Sequence, residues 1–205
     1  MRFLRKKRNF ATEFKIATLQ KEQMANKEFQ KTIYAPATLE FVTVAAQFCV
    51  FLEQSSGRSK RDFVETMLRL LPLLYVKATL LPRVESDGAF LPDDKVTEAD
   101  YDFVRQTVYD IMQGDDDYEE FVYDATIQTD ESRWQSVSEG LADMYQAIRN
   151  FVSVYQERIE DCMTDALWDL TDNFELYWGQ SLVDTLRQLH KLRYTQQKDL
   201  DENTL

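Results

Sequence analysis

The sequence predicts an all-α fold, an antiparallel bundle of about five main helices, on three observations. Apolar residues recur at helical spacing through most of residues 38–193, and no stretch alternates apolar with polar residues as a half-buried strand does. Only five Gly and four Pro punctuate 205 residues, which leaves long uninterrupted elements. A chain of this length buries roughly 70% of its unfolded surface as one domain, and its 44% hydrophobic content supplies the core.

The first helix follows Pro36, with Thr38 as the expected N-cap. Leu39, Val42, Ala46 and Cys49 mark one stripe and Phe41, Ala45, Phe48 and Leu52 another, so this helix is apolar over a wide arc and is expected to sit centrally, ending at Gly57. Ser59 with Asp62 reads as a capping box ahead of the second helix, which carries Phe63, Met67, Leu70, Leu74, Ala78 and Leu81. Pro72 inside it removes a backbone donor and predicts a kink; Pro82 marks the end. Residues 83–96, broken by Gly88 and Pro92, form a loop. Thr97 and Asp100 repeat the capping pattern before a third helix on Tyr101, Val104, Val108 and Ile111, which Gly114 stops.

Residues 115–130 are too charged and too rich in β-branched residues for a helix, and read as a loop with a short helical or extended piece. The fourth helix has the clearest pattern: Trp134, Val137, Leu141, Met144, Ile148, Phe151 and Tyr155 alternate steps of three and four, the mark of a bundle seam. A fifth helix over about 158–193 keeps that rhythm through Met163, Leu167, Leu170, Phe174 and Tyr177. Its apolar stripe then shifts by one position, to Leu182, Leu186 and Leu189, which predicts a kink near Gly179. The domain is expected to span 32–193, between a basic arm over 1–31, partly disordered or helical, and a disordered polar tail over 194–205.

The net charge of −12 is polarised along the chain. Residues 1–31 sum to +6, and the densest acidic stretch, Asp87 to Glu131, to −13. So acidic a body repels phosphate, which argues against nucleic acid as its partner. The basic N-terminus has no apolar run behind it and is not read as a signal peptide. No window of about 18 uninterrupted apolar residues is found, Met67 to Leu81 being taken as the richest, so no membrane span and a cytoplasmic location are expected.

Cys49 and Cys162 read as small buried hydrophobes, and with His190 alone no Ser/His/Asp or Cys/His triad is supported. A glycine-rich phosphate loop is absent too. The acidic run Asp115, Asp116, Asp117, Glu119 and Glu120 looks like a magnesium box, but its place after Gly114 favours a solvated loop. On the fifth helix Asp161, Asp165, Asp169 and Asp172 recur on one side, where like charges a turn apart cost about 0.2–0.5 kcal/mol each. A solvated face explains the stripe; so do three compensators: a divalent cation held with Glu139 and Asp143, a basic partner surface, or the chain's own basic arm. The metal candidates are Asp165, Asp169 and Glu139, with Mg²⁺ as the one cofactor considered. Tyr145, Tyr155, Tyr177 and Trp178 fall at seam positions and are expected in the core.

Three segments, Leu39 to Cys49, Leu141 to Gln146, and Tyr177 to Gln180 followed by Leu186 to His190, together resemble an all-helical bacterial domain family of unknown function common in Bacteroidetes. The resemblance spans about 33–192 and leaves the basic arm outside, consistent with a start downstream, at Met24 for example. It implies a helical domain and brings no activity, cofactor or catalytic residue with it. Polar and bulky groups beside a helix break are where a pocket forms, which makes Asp143, Tyr145, Trp178, Arg187 and His190 the binding candidates. A non-enzymatic binding or scaffolding domain with a protein partner is the favoured function. The alternative is a Mg-dependent hydrolase of nucleotides or other phosphorylated small molecules, using carboxylates of the fourth and fifth helices.

Overall fold

The computed structural model describes residues 31–86, 89–91, 93–124, 129–158 and 160–202, with side chains outside 121–131, 161 and 196–202. The sequence-based arm over 1–30 lies outside the described residues.

Six helices dominate, α1 (Pro36–Glu53), α2 (Lys60–Thr79), α3 (Glu98–Met112), α4 (Val137–Glu157), α5 (Glu160–Asn173) and α6 (Gly179–Glu202). The first four follow the expected order. Pro36 at N1 starts α1, but Thr38 is not its cap: the boundary residue is Ala35, and the buried Thr38 hydroxyl donates to the Thr32 carbonyl at 3.0 Å. Phe41, Val44, Ala45, Phe48, Cys49 and Leu52 are buried over a wide arc, while Leu39 is exposed. By length and composition α1 is the one described helix able to cross a bilayer, at mean hydropathy 1.3, which corrects the choice of Met67 to Leu81 as the most apolar window.

Ser59 accepts the Asp62 amide at the start of α2, whose ladder continues past Pro72 to Thr79. Thr97 and Asp100 form the full reciprocal capping box of α3. The residue that turns the chain after α3 is Gln113, at φ 50°, not Gly114.

Residues read as a loop with a short helical or extended piece, together with the expected first turn of the fourth helix, form an antiparallel hairpin, β1 (Asp117–Asp124) with β2 (Thr129–Ser136), in the register Tyr118 to Gln135 and Glu120 to Arg133. Trp134, expected on the seam, therefore lies in a strand and is 73% exposed. Its spacing to Val137 fits a helix by coincidence, and Tyr118, Phe121, Val122 and Tyr123 express the strand preference of aromatic and β-branched residues once a partner strand is present.

Ser136 caps α4, which packs against α1, α3, α5, α6 and β2 and is the central helix. The fifth predicted helix is three pieces: α5, a π turn over Phe174–Trp178, and α6. A π turn inserts one residue into a helix, which is the one-position shift of the apolar stripe. The Trp178 indole N–H donates to the Leu170 carbonyl at 3.1 Å. Trp178 is buried, whereas Tyr177, also expected inside, is 68% exposed. Gly179 follows because a Cβ there would lie 2.4 Å from the Phe174 carbonyl oxygen. The last helix runs to Glu202, beyond residue 193, where the sequence reading places a polar tail.

Candidate functional site

The acidic run near Asp115 is divided among structural tasks rather than gathered into a cation box. Asp115 pairs with Lys60 at 2.7 Å, and Glu120 reaches Arg187 at 2.7 Å. Asp116 is 2% exposed; its carboxylate accepts the Ser138 amide at 2.9 Å and the Ser136 and Ser138 hydroxyls at 2.7 Å each. A carboxylate over the first turn of α4 also faces the positive end of the helix dipole. Asp116 thereby fastens the hairpin to α4, a role that local sequence does not signal, because the helix it caps starts at Val137 and the whole hairpin lies between them.

With the hairpin so held, its inner face, α4 and the α5–α6 junction enclose a cleft of about 730 Å³. Four carboxylates line it: Asp94 from the loop before α3, Asp143 from α4, Asp169 from α5 and Asp184 from α6. Each is hydrogen-bonded to a neutral donor. Asn150 donates to Asp94 at 2.9 Å, the Tyr101 hydroxyl to Asp143 at 2.8 Å, Asn173 to Asp169 at 2.9 Å and Gln180 to Asp184 at 3.0 Å. No Lys or Arg lines the cleft, and none of the four is ion-paired among the described residues. The π turn brings Tyr177 and Trp178 to the wall, and β1 brings Tyr118.

Concentrating acids here has electrostatic consequences. Burial, and then the charges of Asp94 and Asp172, push the Asp169 carboxyl above its ordinary range, against the opposing bond from Asn173. Burial first, and then Asp184 and Glu120, push the Tyr118 phenol up to about 12. Glu120 is raised by burial and Asp184, with Arg187 opposing.

The residues singled out in the sequence fall in separate places. Asp143, Trp178 and Asp169 meet in the cleft. Tyr145 sits elsewhere in α4, its hydroxyl donating to Glu53 at 2.9 Å beside the Arg149–Glu53 pair. Arg187 and His190 line a groove between α2 and α6, His190 against the Tyr194 ring at 4.7 Å. Asp165 is buried and committed: its oxygens accept the Ser86 hydroxyl and the Phe90 amide, both at 2.7 Å, holding the loop after α2. Glu139 stands exposed in the first turn of α4. Glu139, Asp165 and Asp169 do not converge, and among the described residues no three His, Cys, Asp or Glu are grouped to hold a metal ion. Cys49 is buried in the core, its thiol pushed up to about 12 by that burial, while Cys162 is half-buried.

A family model described as a domain of unknown function, DUF5063, matches residues 32–195. The chain belongs to the DUF5063 family. The boundaries read from the helix-packing segments, 33 and 192, lie within a few residues of that match. The fold is also that of a crystal structure of a protein from Bacteroides fragilis, 40% identical, with a TM-score of 0.70 over 80% of this chain and 96% of that one. The cleft, Asp116 staple and π turn all lie inside the DUF5063 span. No curated protein matches the chain.

Proposed function

We propose that this DUF5063 domain is a non-enzymatic binding module whose cleft takes a Lys- or Arg-bearing segment of a partner protein. The observation that carries the reading is the set of four carboxylates around one cleft with neutral donors and no cation. Like charges in a partly desolvated site repel: burial first, and after it the charge of Asp94 across the cleft and of Asp172 beside it, raises the Asp169 carboxyl. A cationic side chain relieves that repulsion, and the aromatic faces of Tyr118 and Tyr177 suit an ammonium or guanidinium group. The cleft volume falls in the range of about 300–1,000 Å³ usual for ligand sites. The amide side chain of Gln146 offers hydrogen bonds to a peptide backbone. A phosphorylated ligand finds no cation on these walls to receive it.

The test is calorimetric titration of the full chain with a short synthetic peptide of alternating Lys and Gly, in parallel with Mg²⁺ alone. Saturable peptide binding that weakens with salt and is lost in Asp143→Asn/Asp184→Asn supports the reading. Saturable Mg²⁺ binding abolished by the same substitutions, without peptide binding, replaces it with a cation site.

A further inference from the structure

On the other side of α6 lies a surface of opposite character. Between α2 and α6 runs an open groove of about 760 Å³, walled by Leu68 and Pro72 on one side and Val183, Leu186, His190 and Tyr194 on the other. One turn beyond Pro72 on α2, Val76 is 51% exposed, and Leu80, just past the end of that helix, is 56% exposed. Pro72 has no N–H to return to the Leu68 carbonyl one turn earlier, so that wall also carries a backbone acceptor without its helical donor.

Charge sets this groove apart from the rest of an acidic chain. Residues 66–80 contain no Asp or Glu, and neither do residues 185–195. The carboxylates that reach its edges are already engaged: Glu120 with Arg187, and Glu65 with Arg61 and Arg193. Arg69 on α2 and Lys191 on α6 are not ion-paired among the described residues. An apolar groove between two helices accepts a third helix by ridge-into-groove packing, and cations along its rim select the flanks of that helix.

We infer that the α2–α6 groove docks an amphipathic helix of a partner protein, with apolar residues at helical spacing facing Pro72 and Val183 and carboxylates on its flanks facing Arg69 and Lys191. The occupant is anionic where the cleft's is cationic. The two sites share α6, with Asp184 in the cleft and Arg187 and His190 in the groove, so the domain joins two partner segments of opposite charge.

The experiment titrates the full chain with two synthetic helical peptides that share a leucine stripe and differ only in Glu or Lys flanks, read by fluorescence anisotropy. The inference expects the Glu-flanked peptide to bind at least tenfold more tightly than the Lys-flanked one. It also expects Val183→Glu and, separately, Val76→Glu to reduce that binding tenfold or more. Both positions are substantially exposed, and unchanged circular dichroism and Tm establish that the variants fold. Because neither residue lines the cleft, Lys-Gly peptide binding is expected unchanged in both, which keeps this test independent of the cleft reading. Equal affinity for the two peptides, or indifference to both substitutions, overturns the inference. So does a dimer of the free chain that Val183→Glu dissolves, or binding to anionic lipid vesicles in place of the peptide.

Discussion

Asp116 shows how much a single side chain decides here. Its three acceptor bonds satisfy two hydroxyls and the first-turn amide of Ser138, all taken out of water by the hairpin. Asp116→Ala leaves the Ser138 amide and one of the two hydroxyls, which lie 2.8 Å apart, without a partner and removes a charge from the helix N-terminus, and is expected to cost about 2–4 kcal/mol in denaturant unfolding. Asp169 acts in the opposite direction. Its carboxyl is raised in the folded state, so its stabilising contribution is fully present below the ordinary aspartate pKa and is lost as pH rises through the raised value. Melting curves of wild type and Asp169→Asn should therefore coincide in acid and separate toward pH 7, with the variant the more stable. A difference independent of pH would remove Asp169 from the account. Asp165, one helical turn earlier in the same stripe, has both oxygens occupied. Spacing alone does not distinguish these two acids, because it reports which face a residue shares and not which donors a distant loop brings to it.

At the scale of elements, the helices were legible wherever the apolar period was long and capped. The reciprocal Thr97–Asp100 box and the Ser59 cap stand where their sequence patterns put them. Residue 134 was misread because an aromatic three positions before Val137 satisfies a helical period whether or not a helix includes it. The hairpin escaped because its two strands stabilise one another, and a charged segment shows no alternation that singles it out. The stripe shift at Gly179 was visible as a discontinuity, and the π turn is its cause. Gly179→Ala forces a Cβ against the Phe174 carbonyl and ring, and is expected to lower stability by about 1–3 kcal/mol. The same substitution should disturb Tyr177 and Trp178, which the turn delivers to the cleft wall, so weaker peptide binding is expected with it. An alanine variant as stable as wild type would mean that the turn reverts to a regular helix without cost.

For the whole molecule, the bundle class and the helix order followed from periodicity and the family span from the resemblance of three helix-packing segments, while the cleft followed from neither, because its walls come from separated parts of the chain. Asp94, Asp143, Asp169 and Asp184 come from a loop and three different helices and share one cleft, whose remaining wall is the hairpin. The central claim is that these acids are assembled for a cation supplied from outside, at some expense of the free protein's stability. The measurement that tests it most directly is the thermal unfolding of wild type and Asp169→Asn/Asp184→Asn at pH 7, each with and without the Lys-Gly peptide. The account predicts a higher Tm for the double variant alone. It also predicts a peptide-dependent rise confined to wild type, corresponding to about 2.7 kcal/mol at a hundred times the dissociation constant. A double variant that melts lower than wild type, or that gains as much from the peptide, would contradict it.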